Sequence, residues 1–145
     1  MIIGIDFDGT IVEHAFPLVG KAVPHALRVM KRLLANDHQL ILWTMRSDIP
    51  ADSDLSLVRE NVTEAQSTLD DALAYLMVND VGLFGVNENP DQDDWSSSPK
   101  AYCHIYIDDA ALGCPLMQPV KEKRPFVDWL AIEQILAHNG YFQKI

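Results

Sequence analysis

An apolar run, Ile2-Ile3-Gly4-Ile5, ends in two aspartates one residue apart, followed by glycine and threonine: Asp6-Phe7-Asp8-Gly9-Thr10. A D-x-D-G-T string arises by chance in a chain of this length on the order of once in a thousand. An apolar run that ends in Asp sets a carboxylate at the carboxyl edge of a strand, where open α/β sheets bind ligands. Phe7 points away while Asp6 and Asp8 flank it, and Gly9 lets the backbone turn sharply beside a ligand. An Asx turn closing a strand would account for one Asp and the Gly. It does not account for two crowded acids, which disfavour each other's ionised form unless a cation or a reaction needs them.

The pattern resembles the first motif of the haloacid dehalogenase-like (HAD) hydrolase superfamily, most of whose members are Mg2+-dependent phosphatases. Three further stretches follow in that family's order: Leu40-Ile41-Leu42-Trp43-Thr44 with Arg46, Ser98-Pro99-Lys100, and Ile105-Tyr106-Ile107-Asp108-Asp109. The resemblance covers nearly the whole chain. It implies Asp6 as nucleophile, giving an aspartyl-phosphate that splits one hard displacement into two easier ones. It implies Asp8 as general acid/base, with like-charge neighbours raising its pKa. Thr44 would hydrogen-bond the phosphoryl group, although a strand-end hydroxyl can equally cap its own chain. Lys100 would steady Asp6 and the transferred oxygens, with Lys21 the competing lysine. Asp6, the Asp8 carbonyl and Asp108 would hold Mg2+, with Asp109 direct or through water, since hard oxygen donors suit that ion.

The notable open assignments lie around this set. Gly9 and Thr10 are read as substrate-binding. Arg46 could clamp a phosphate or a carboxylate bidentately. Asn87, with Glu88 and Asn89, could contact the leaving group. His14 follows the first motif closely enough to face substrate. The other histidines form no site.

These residues need elements to position them. Strands are expected at 2–6, 39–44, 82–86 and 104–107, and helices at about 26–34, 57–77 and 127–138. Within 57–77 the spacing falters near 63–68, which allows two helices. Polar loops span 49–56 and 87–99. Nearly continuous apolar strands mark a sheet covered on both faces. Alternating strands and helices predict a single α/β domain over 1–145, a doubly wound, Rossmann-like parallel sheet with helices on both faces. Right-handed crossovers then bring Asp6, Thr44, Asn87 and Asp108 to one edge. Between Thr44 and Lys100 no room remains for a folded cap, so the chain is similar to the small capless members. Their open sites admit larger substrates or closure by a partner subunit, which leaves a homo-oligomer open.

The 145 residues suit one domain, and 48% hydrophobic content suits a real core. A net charge of -10, from 21 acids against 11 Lys plus Arg, argues against nucleic-acid backbone as partner. A small phosphorylated substrate is compatible with it. Cys103 and Cys114 lack metal-ligand spacing, and a disulfide is not expected. The short apolar start meets Asp6 too early for a signal peptide. No stretch approaches the roughly 18 apolar residues of a membrane span. The expectation is a cytoplasmic Mg2+-dependent phosphomonoesterase. The alternatives are a catalytically retired phospho-ligand or protein-binding module, and a nucleotide-specific phosphatase.

Overall fold

A computed structural model describes residues 1–48 and 67–143. The polar loop expected at 49–56 and the first part of the helix expected at 57–77 lie outside the described residues. The elements run β1 (Ile2–Ile5), α1 (Ala26–Ala35), β2 (Gln39–Leu42), α2 (Thr68–Val78), β3 (Gly85–Val86), β4 (Ile105–Ile107), β5 (Leu116–Met117), β6 (Phe126–Val127) and α3 (Trp129–His138). Four strands form a parallel sheet in the order β3-β2-β1-β4. The third strand is shorter than its apolar pattern suggests: only Gly85 and Val86 pair in register with β2, flanked by hydrogen bonds from the Phe84 amide to the Leu40 carbonyl and the Asn87 amide to the Leu42 carbonyl, each 2.7 Å.

β1 sits between β2 and β4, and this placement sets the site. Ile5 lies level with both Leu42 and Ile107, and Leu42 lies level with Val86. The next residues, Asp6, Trp43, Asp108 and Asn87, therefore leave the sheet at one edge. The ladder runs slightly beyond the strands: the Asp6 amide donates to the Ile107 carbonyl at 3.0 Å, and the Trp43 amide to the Ile5 carbonyl at 2.9 Å.

Strand alternation divides the sheet into two faces. Ile3, Ile5, Leu40, Leu42 and Ile107 join one buried cluster with Met30 and Leu33 of α1, Leu76 of α2, and Trp129 and Ile132 of α3. Gly4 faces the other way, where an added Cβ would come within 2.9 Å of the Cys103 sulfur and the Tyr106 ring. Helices on both faces were expected. Among the described residues, the Gly4 face is covered by the segment leading into β4, with Ala101 and Cys103 buried there. That segment is braced by side chains: Asn89 Nδ2 donates to the Tyr102 carbonyl and Gln92 Nε2 to the Lys100 carbonyl.

The helices begin and pack for identifiable reasons. Ser67 caps α2 by accepting the Asp70 amide, and Asp70 and Asp71 in the first turn suit its positive end. Asp128 caps α3, accepting the amides of Leu130 and Ala131. Arg28 and Arg32 of α1 both reach Glu133 of α3 at 2.7 and 2.8 Å. These hydrogen bonds, that of Arg28 foremost, hold the Glu133 carboxyl down at about 2. Among the described residues, no helix is long and apolar enough to cross a membrane. Both cysteines are free.

The pattern of the tail does not announce β5 and β6, which pair antiparallel over two residues each. They matter because they carry α3 back to the D-x-D-G-T turn. The Val127 amide donates to the Gly9 carbonyl at 2.9 Å, and the buried Trp129 Nε1–H donates to the Thr10 carbonyl at 2.7 Å. Trp129→Phe leaves that carbonyl without its buried donor and is expected to cost about 2 kcal/mol in urea unfolding.

Candidate active site

Asp6 is the centre. Its carboxylate leaves the end of β1, half-buried, and one oxygen accepts the Thr10 hydroxyl at 3.1 Å. Carboxylate oxygens of Asp6, Asp108 and Asp109 all lie within 4.8 Å of one another. Burial pushes the Asp6 carboxyl up to about 7, and the charges of Asp108 and Asp109 add to the rise. Hydrogen bonds from the Phe7 backbone and the Thr10 side chain only partly offset it. Three acids held this close favour a cation among them, and their hard oxygens suit a divalent ion such as Mg2+ or Ca2+.

The turn after Asp6 is shaped by its neighbours. Gly9 adopts φ +82°, and a Cβ there would fall 2.1 Å from His14 Nε2 and 2.4 Å from Asp109 Oδ2. Gly9 is required by the packing and the backbone conformation of this turn. Thr10, read from sequence as substrate-binding, is fully buried. Its hydroxyl donates to Asp6 and accepts the Asp109 amide at 3.2 Å, so it locks one acid against another. His14 Nε2 lies 2.8 Å from Asp109 Oδ2 and fixes that carboxylate from the other side.

Asp8 is turned away from the acids and into Arg46. The guanidinium meets it bidentately, Nε to Oδ2 and Nη2 to Oδ1, each at 2.8 Å. The like-charge crowding expected for Asp8 falls on Asp6 instead. Arg46 is 2% exposed, and it was expected to clamp substrate. Its remaining donors go to the carbonyls of Pro17, Leu18 and Thr68. All five guanidinium N–H groups are thereby engaged, leaving none for a phosphate. The rings of Phe7 and Phe16 lie 4.9 and 5.4 Å from its central carbon. Arg46 positions Asp8 and ties the first connector to the start of α2.

Thr44 and Asn87 secure the neighbouring strand ends. The Thr44 hydroxyl accepts the Arg46 amide at 3.1 Å, the self-capping use of a strand-end hydroxyl. Its own amide donates to Asn87 Oδ1 at 2.8 Å. Asn89, by contrast, is 6% exposed and directed inward to Tyr102, away from any leaving group. Asp108 caps the turn after β4 by accepting the Ala110 amide at 2.8 Å.

A cavity of about 430 Å³ opens over these groups. Its walls include Asp6, Asp8, Thr44, Asp108 and Asp109. A second, of about 320 Å³, opens on the β3 side and is lined by Asp6, Thr44, Asn87, Pro99 and Asp108. The expected lysine lines neither. Lys100 is exposed, with its ammonium 5.4 Å from the Tyr106 ring centroid. The larger cavity instead holds a cation not singled out from the sequence, Arg124 from the segment joining β5 and β6. Its signal was the Lys121-Glu122-Lys123-Arg124 cluster in an otherwise acidic chain.

No family model and no curated protein matches the chain. A solved structure, described as the conserved protein coded by a locus from Bacteroides thetaiotaomicron, is similar over 96% of this chain and 91% of its own, with TM-score 0.67 and 27% identity. That similarity supports an α/β fold, a mostly parallel sheet flanked by helices.

Two outcomes are expected from this geometry. The Asp6 carboxyl sits above its unfolded value, so ionising it opposes folding; stability present below pH 4 is lost as pH rises through 7. In EDTA at pH 8, Asp6→Asn should exceed wild type by roughly 2–4 kcal/mol, and at pH 4 it should show no advantage. Chemical denaturation at the two pH values measures this. Arg46→Ala strands Asp8 and three carbonyls and should cost about 3–5 kcal/mol. Arg46→Lys, with three donors in place of a planar fork, should recover little of it in the same assay.

Proposed function

We propose that the protein is a Mg2+-dependent phosphomonoester hydrolase of the HAD type, acting through an aspartyl-phosphate on Asp6. The observation that carries this reading is the convergence of Asp6, Asp108 and Asp109 within 4.8 Å at the end of the central strand, beneath an open cavity. The strand order β3-β2-β1-β4 reverses direction between β1 and β4, which supports a Rossmann-like reading of the sheet with its site at that switch.

Asp6, Asp108 and Asp109, with the Asp8 carbonyl, would hold the metal. Bound there, Mg2+ would offset carboxylate charge and polarise a phosphoryl oxygen. A carboxylate oxygen of Asp6 attacks phosphorus, the P–O bond to the leaving group breaks, and the alkoxide takes a proton from Asp8. Asp8 then removes a proton from water, which attacks the phosphoryl group and returns Asp6 to its carboxylate. Both Asp8 oxygens accept hydrogen bonds from Arg46. Donation to the leaving group therefore requires one of them to be released. Thr10, Thr44 and His14 keep the reacting and metal-holding groups in place.

One observation favours a second reading, a phospho-ligand-binding module without turnover: Lys100 stands outside both cavities that hold Asp6. The deciding experiment is phosphate release from phenyl phosphate and a panel of metabolite phosphomonoesters, with Mg2+ or EDTA. Hydrolysis is expected to require Mg2+ and to fall on the order of 10³-fold or more in Asp6→Asn. Folded protein that binds Mg2+ but leaves every ester intact would move the assignment to the binding module.

A further inference from the structure

We propose that Arg124 is the residue that clamps the substrate's phosphoryl group, an inference that rests on the phosphatase reading above. A phosphoryl dianion entering the larger cavity meets Asp6, Asp8, Asp108 and Asp109. One divalent ion offsets two of those charges, and Arg46 answers Asp8 alone, with no donor to spare. Lys100 lies over Tyr106. Lys123 faces Glu13 at 3.6 Å. Arg124 lines the cavity, is exposed, and has no hydrogen-bond or ion-pair partner among the described residues. A guanidinium fork matches two phosphate oxygens and keeps its charge at any working pH.

Its segment is a built element rather than a loose tail. Gln118 Nε2 donates to the carbonyls of Lys121 and Lys123 at 3.0 and 2.7 Å, and the Lys123 amide donates to Val120 at 3.1 Å. Three residues after Arg124, Val127 is bonded to Gly9 of the D-x-D-G-T turn. Arg124 is thus registered against Asp6 through backbone. It also stands, with His14, on the wall shared with a cavity of about 220 Å³ lined by Glu13, Pro119, Val120, Lys123 and Phe126.

The test compares wild type, Arg124→Ala, Arg124→Lys and the control Lys121→Ala, all checked for unchanged melting. Hydrolysis of phenyl phosphate and 4-carboxyphenyl phosphate is measured with saturating Mg2+, and binding of inorganic phosphate by calorimetry. Arg124→Ala is expected to lower kcat/KM about 100-fold on both esters and to weaken phosphate binding at least tenfold. Arg124→Lys should recover part of each loss, and Lys121→Ala should match wild type. A change under twofold in Arg124→Ala overturns the clamp. So does a loss confined to the carboxylated ester, which would assign Arg124 to the leaving group. If wild type hydrolyses neither ester nor any monoester of the metabolite panel, the phosphatase reading fails by itself. Phosphate binding that still depends on Arg124 would then uphold the clamp, and wild type that binds no phosphate would end it.

Discussion

Everything at this edge of the sheet answers to one constraint: a half-buried carboxylate must sit beside two others. Burying one acid is unfavourable, and adding two like charges makes it more so. The arrangement persists because backbone leaves it no alternative. Parallel pairing of β1 with β4 brings Asp6 and Asp108 out side by side. The Thr10 hydroxyl, bonded to Asp6 and to the Asp109 amide, closes the triangle, and Trp129 and Val127 hold the turn that carries it. Hydrophobic core and strand pairing supply the stability against which this local repulsion is set.

A second buried charge follows a different logic. Arg46 is enclosed, but every N–H has an acceptor and one side faces a carboxylate. A buried charge so satisfied specifies geometry more than it adds stability. Here it determines where Asp8 points and brings together two stretches far apart in sequence, residues 17–18 and the start of α2. The tight turn at Gly9 and the buried guanidinium thus divide the work: one orients the three clustered acids, the other orients the acid beside them.

The sequence made the central strand and its acids legible because two simple periodicities agree there. Apolar runs that end in Asp or Thr, in βα order, place Asp6, Thr44, Asn87 and Asp108 along one edge whatever the details of packing. The fates of Thr10, Arg46 and Lys100 were not legible. Each depends on which way a polar side chain turns, inward to orphaned backbone groups or outward to solvent, and local spacing carries no information about that. Arg46 in particular answers to carbonyls from two other segments. β5 and β6 escaped notice because two-residue strands are too short to display alternation. With them went the position of Arg124, although its basic cluster was visible as composition.

The central position of β1 has a consequence for assembly. Asp6 and Asp108 are separated by most of the chain, and they meet only once β4 has paired with β1. A growing chain that has released β1, α1 and β2 carries the D-x-D-G-T turn without its partner acids. It has not yet met the like-charge repulsion that the finished site contains. The three-acid cluster, and any hold it has on a cation, therefore arises with the last strand of the sheet rather than with the first motif.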